Sequence, residues 1–148
     1  MSDEEQRVWR AFLAMNNAVR KATARQLAAD SNIPTTYYEI LVQLSEAAGR
    51  TLRMSELAQA TQGTQSQLSH AVNRLEERGW VERQRCQEDG RGLFAVLTDA
   101  GMTALAAAAP GHVECVRQVL FDPLTPQQLA MLRDIAERVV EGAGQQAE

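Results

Sequence analysis

Residues 64–78, TQSQLSHAVNRLEER, leave the chain few choices of fold. Leu68, Val72 and Leu75 recur at the spacing of one helical face, so a helix with one side buried against other helices is predicted. A helix of that length spans about 22 Å. Gln65, Ser66, Ser69, His70 and Asn73 point away from the stripe, and no carboxylate joins them before Glu76. Thr64 and Gln67 have the T-x-x-Q spacing of a capping box, which marks the helix start. Gly79 supplies the stop. Most amphipathic helices show water a polar face and do nothing more with it. A face of amides, hydroxyls and an imidazole also suits the base edges of a DNA major groove, where Gln and Asn pair with adenine and Ser with several bases.

The context on both sides favours the second reading. Upstream, RMSELAQATQG at 53–63 reads as a short helix with Ser55 as N-cap, Leu57 and Ala58 opening an apolar face, and Gln62-Gly63 as a turn. Short helix, tight turn with glycine, longer helix is the grammar of a helix-turn-helix. Downstream, Val81–Arg85 and Leu93–Leu97 are β-prone runs, with turn chemistry in Asp89-Gly90-Arg91-Gly92 between them. They are predicted to form a β-hairpin, or wing, with Arg83, Arg85 and Arg91 on its arms and tip. Arginines placed beside a recognition helix reach phosphates or a narrow minor groove. Residues 51–54 add a short third strand.

At these motifs the chain resembles the multiple-antibiotic-resistance regulator (MarR) family of bacterial winged-helix repressors. SELAQAT, then LSHAVNRLEERGWVER, then the wing D-G-R-G followed by LFAVLTDAG carry the match. The tail PGHVECVRQVLFDPLTPQQLAMLRDI is similar to that family's closing helices. The resemblance covers nearly the whole chain, and its specificity lies in the ordered set.

The bounds agree with a small regulator. A chain of 148 residues makes one domain with a real core. The net charge is −4, which argues mildly against nucleic-acid binding, but its distribution matters more. Residues 50–92 carry +1 and the remainder −5, so the reading head is basic relative to the rest. No basic start followed by an apolar run opens the chain, and the longest all-apolar run, residues 104–109, is too short to span a bilayer. A cytoplasmic protein with no membrane partner is expected. Cys86 and Cys115 do not make a disulfide framework.

The two ends read as helices. Residues 2–31 form one, started by the Ser2/Glu5 capping box. Its residues Val8, Phe12, Met15, Val19 and Ala22 follow a near coiled-coil seam, widened by Trp9 and Leu13. Residues 36–48 form a second, with a Thr36/Glu39 capping box and a buried stripe of Tyr37, Ile40, Leu41 and Leu44. After Leu97 a long helix starts at Thr98, and Pro110-Gly111 must kink or break it before it resumes to Leu120. Thr125-Pro126, with Gln128, begins the last helix, whose Leu129, Leu132, Ala136 and Val139 repeat the seam. Gly142 onward reads as frayed tail.

The expected architecture is mainly α with a small β-hairpin wing, an α+β arrangement. Residues 35–97 form the winged helix-turn-helix, and 1–34 with 98–148 form dimerisation helices. The resemblance implies the same dimer, since the family pairs through its N- and C-terminal helices. Two recognition helices would then enter successive major grooves about 34 Å apart, so the duplex partner should carry an inverted repeat. Gln65, Ser66, Ser69, His70 and Asn73 are assigned to base or backbone contact, with Thr64 at the helix start. Arg53, Arg74, Arg83, Arg85 and Arg91 are phosphate or groove candidates. Asp89 and Gly90 hold the wing, with Asp89 pairing Arg85 or Arg74.

A homodimeric, sequence-specific repressor follows, released from its operator by a small ligand. The resemblance implies aromatic or phenolic acids, bound where dimer helices meet the DNA head. Trp9, Met15, Tyr37, Tyr38 and Leu41 would line that pocket, although each taken singly also fits plain core packing. A redox rival rests on Cys86, beside Arg85, which would lower its pKa. Cys115 shares a face with Val119 and fits packing. A protein-binding helix-turn-helix that no longer reads DNA is a further alternative. His70 and His112 lie far apart, so no metal site is expected, and no cofactor. No nucleophile–base arrangement, phosphate loop or GxGxxG is present, so no enzyme is expected.

Overall fold

A computed structural model describes residues 1–61, 64–85 and 92–145. Its elements are α1 (Asp3–Asp30), α2 (Thr35–Glu46), β1 (Thr51–Arg53), α3 (Met54–Ala60), α4 (Gln65–Glu77), β2 (Val81–Arg85), β3 (Leu93–Leu97), α5 (Asp99–Val116) and α6 (Pro126–Gln145). The three strands form an antiparallel sheet in the order β1-β3-β2, and among the described residues no helix is long and apolar enough to cross a membrane. The chain divides into two compact units, residues 23–112 and residues 1–22 with 113–148.

The first unit holds the core. Leu27, Ile40, Leu41, Leu44, Leu57, Val72, Leu75 and Val81 are all less than 2% exposed. Leu68, Ala71, Val72 and Leu75 are the buried side of α4, which confirms the helical stripe and adds Ala71 to it. Burying a leucine of this kind contributes about 1.5–3 kcal/mol. In the sheet, Ala95 of β3 lies opposite Leu52 of β1 and Arg83 of β2. Side chains alternate along a strand, so buried Val81 and Arg83 share one face of β2.

α5 starts against the root of β2. The Thr98 hydroxyl accepts from the Gly101 N–H at 3.0 Å and donates to the Gly79 carbonyl at 2.7 Å. Gly101 is a case of close approach, because a Cβ there would lie 2.2 Å from the Trp80 carbonyl oxygen. Gly79 stops α4 as expected, at a φ of 71° that L side chains rarely adopt. Arg50 donates to Asp99 at 3.0 Å, tying the segment after α2 to the same helix start.

The second unit is built from helices. The Ser2/Glu5 box is formed, with the Glu5 N–H donating to the Ser2 hydroxyl at 3.2 Å. The Thr125/Gln128 box is formed in the same way. No described residue of this unit is buried. Its side chains include Trp9 (52% exposed) stacked on Phe12 (48%), together with Met131, Ile135, Val139 and Val140, all exposed.

Several boundaries differ from the sequence reading. α2 starts one residue early, at Thr35 behind Pro34, and the Pro34 carbonyl accepts from Tyr37 and Tyr38 N–H groups. No Thr36 cap forms, and Tyr38 rather than Tyr37 is the buried tyrosine. Ser55 lies inside α3, which begins directly after β1. Arg53 holds the N-cap position, where the Glu56 carboxylate accepts from its backbone N–H at 2.9 Å. The third strand ends at Arg53, not at 54. Pro110 does not break α5, which is continuous to Val116 before a wide π turn, Arg117–Phe121. Proline's φ is compatible with a helix, and Leu105 and Ala108 on the preceding turns are buried. The last helix runs on to Gln145, past the expected fraying at Gly142.

Candidate nucleic-acid interface

α4 carries the polar face. Its N-terminus is closed by the predicted box. The Gln67 N–H donates to the Thr64 hydroxyl at 3.2 Å, and the Thr64 N–H donates to Gln67 Oε1 at 2.9 Å. Both side chains are therefore committed to the helix start. Gln65, Ser66, His70 and Asn73 are exposed, and Ser69 is half-buried. Spacings of three and four place Ser66, Ser69, His70 and Asn73 on one side of the helix, opposite the buried leucines. The surface so formed can donate to and accept from base edges and phosphates.

Cations frame it unequally. Arg74 is exposed and pairs with Glu77 at 2.8 Å, and the hydrogen bond and charge of Glu77 hold its guanidinium above its ordinary pKa. Arg53 lies over the Phe94 ring, 5.2 Å from its centroid, with an exposed surface. Arg85 is exposed at the end of β2, opposite Leu93. Arg83 is turned inward. One of its guanidinium nitrogens donates to Asn73 Oδ1 and Glu76 Oε2, and the other to the Ser69 carbonyl at 3.1 Å. Its backbone N–H donates to Glu76 Oε1 at 3.0 Å. Arg83 thus joins the wing strand to three residues of α4.

Two residues outside the predicted set matter to this surface. Glu76 accepts from both the guanidinium and the backbone N–H of Arg83. Arg78, just past α4, stacks over Trp80 at 4.9 Å and Tyr37 at 5.5 Å, which pins the C-terminal end of α4 to α2. The period of two in β2 puts Arg83 beside buried Val81 and was the available signal for its inward turn. Nothing local marks Arg78.

The expected wing tip, Asp89, Gly90 and Arg91, lies outside the described residues, as do Cys86 and the Gln62-Gly63 turn. Cys115 is half-buried on α5.

The five side chains expected to line an effector pocket have different surroundings. Tyr38 and Leu41 are core residues of unit 23–112, and burial raises the Tyr38 pKa. Tyr37 is half-buried under Arg78. Within the helical unit, Met15 lines an apolar groove of about 470 Å³ with Phe12, Val19, Leu129, Leu132 and Ala136. Trp9 is not among its lining residues. The Tyr38 ring packs 4.5 Å from that of His112, whose buried Nδ1 has no partner among the described residues, and burial lowers the His112 pKa.

Comparisons with known proteins agree on one kind of relative. The MarR family model matches residues 31–92. Sco3205, a MarR family transcriptional regulator from Streptomyces coelicolor whose crystal structure contains DNA, is 48% identical. The match covers 96% of this chain and 89% of that one, with a TM-score of 0.89. AbsC, a MarR family transcriptional regulator from the same organism, is 38% identical over 97% of this chain and 96% of its own, with a TM-score of 0.88. The transcriptional repressor MprA of Escherichia coli K12 is 27% identical over 108 residues, 73% of this chain. The chain spans 61% of the length of that repressor.

Proposed function

The chain belongs to the MarR family of transcriptional regulators, and from that premise we propose that it acts as a homodimer reading an inverted repeat in duplex DNA. The observation that carries this is α4: a capped helix whose apolar side is fully used inside the core and whose amide, hydroxyl and imidazole side is exposed. Such a helix can enter a major groove without unfolding anything. Arg53, Arg74, Arg85 and Arg91 supply phosphate contact around it. Sco3205, a relative of nearly the same length, has been crystallised with DNA, which supports the same use here.

The dimer is supported by the helical unit. Its exposed Trp9, Phe12, Ile135 and Val139 form apolar surface too large to leave in water, and a second copy covers it. The twofold axis would set the two α4 helices about one DNA turn apart. Repression is the sense we assign, in line with MprA, and release by a small aromatic acid completes the cycle. The chain works in the cytoplasm as a binding protein and catalyses no reaction.

A mobility shift with the promoter upstream of the chain's own coding sequence tests DNA reading. A retarded band that survives competitor DNA is expected, and its loss to any excess of random duplex would refute sequence-specific reading. Adding a benzoate-class acid should release the band. Sedimentation equilibrium at micromolar concentration tests the dimer, and a monomer there would remove it.

A further inference from the structure

An asparagine facing a major groove can present either end of its amide. Its oxygen accepts from cytosine N4 or adenine N6, and its nitrogen donates to purine N7, guanine O6 or thymine O4. A free side chain chooses by flipping, so its preference is weak.

Asn73 is not free to flip. Its Oδ1 accepts from the Arg83 guanidinium. A guanidinium has donors and no acceptor, so the opposite orientation would set NH2 against N–H. Arg83 is itself held in place. It is only 21% exposed, it pairs with Glu76, and its other nitrogen donates to the carbonyl of Ser69, one helical turn before Asn73. The Glu76 carboxylate also accepts from the Arg83 backbone. Backbone and side chain of Arg83 are thus both held by Glu76.

We propose that Arg83 is a positioning residue for specificity: it fixes the Asn73 amide with nitrogen toward DNA, so that Asn73 selects a base edge bearing an acceptor. This rests on the DNA-reading function proposed above. Arg83 on this view touches no base, and its effect is on which base is chosen.

The test is enrichment from a randomised duplex library by the full chain, with five proteins compared. Wild type should yield a motif, and N73A should lose discrimination at one position of each half-site, which locates the contact. At that position wild type should prefer acceptor-bearing edges by about fivefold, the scale of one net hydrogen bond. R83M keeps the stem of the side chain and removes the clamp. It should flatten preference at that position to about twofold or less while the other positions keep theirs. R83K, which still offers only donors to Oδ1, should restore it.

R83M also removes the counter-charge of Glu76, whose carboxylate keeps the backbone N–H of residue 83, so affinity should fall alike for every sequence. N73D is the independent arm. With Arg83 in place it turns an acceptor outward, and the preference should shift to cytosine, the one base whose major-groove edge carries a donor and no acceptor. An R83M motif identical to wild type, or an N73D motif still favouring acceptors, overturns the assignment. A wild type that enriches no motif overturns instead the DNA-reading function, a failure distinct from that of the clamp.

Discussion

Residues 23–112 and the helical unit of residues 1–22 and 113–148 solve the burial problem in opposite ways. In the first, every large side chain on an inner face is covered by the chain itself, and Leu93 is its one large hydrophobic exposed among the described residues. In the second, no described residue is buried, and Val8, Trp9, Phe12, Met131, Ile135 and Val139 are all exposed. Both contain well-capped helices, so local propensity does not separate them. What separates them is where the partner surface lies. The head is complete in one copy, whereas the terminal helices carry apolar stripes that one copy leaves uncovered. In the proposed dimer, pairing and the α4 surface would rest on different units.

Five substitutions, one of them followed through a pH series, probe that contrast. Leu75→Ala should cost about 2–5 kcal/mol in urea unfolding, because a cavity opens in a core that cannot collapse. Its self-association should remain. Ile135→Glu should do the reverse. A charge buried against the second copy should weaken dimerisation by about 100-fold or more in sedimentation equilibrium, with operator affinity falling alongside. If Ile135→Glu leaves the dimer intact and Leu75→Ala dissociates it, the contrast between the two units is wrong.

Smaller effects sharpen it. Thr64→Ala removes one half of the α4 capping box and should cost about 1 kcal/mol, seen in the urea midpoint. Arg74→Ala should weaken DNA equally across sequences and reduce the salt slope of binding by about one unit, without moving the dimer constant. His112→Leu should act through pH. Burial lowers the folded-state pKa of His112, so the unfolded chain takes up the proton first as pH falls. Stability is therefore lost on acidification below the ordinary imidazole range and is fully present above it. The wild-type urea midpoint should fall more between pH 7 and pH 5 than that of the leucine variant.

Much of the head was legible because its signals are local. The T-x-x-Q box, the stripe of Leu68, Val72 and Leu75, and the paired runs Val81–Arg85 and Leu93–Leu97 each depend on residues within a turn or a strand. The family resemblance placed them in order. The misreadings have a common cause. Ser55 and Thr36 are good caps by type, but the chain enters those helices one or two residues earlier, from β1 and from Pro34. Proline is a helix breaker by type, but α5 runs through Pro110 with Leu105 and Ala108 buried before it. At the candidate interface the exposed face of α4 was readable, while the partners that hold Arg83 lie 7 to 14 positions away and Arg78 stacks on Tyr37 of a different helix. A pattern read one element at a time does not contain such partners.

The missing side chain at Gly101 has a mechanical result. The first turn of α5 rests on the carbonyl of Trp80 with no methyl between them, and packed interiors yield very little under load. A side chain larger than hydrogen at that position would have to push the turn off the root of β2, the strand whose third residue contacts Asn73.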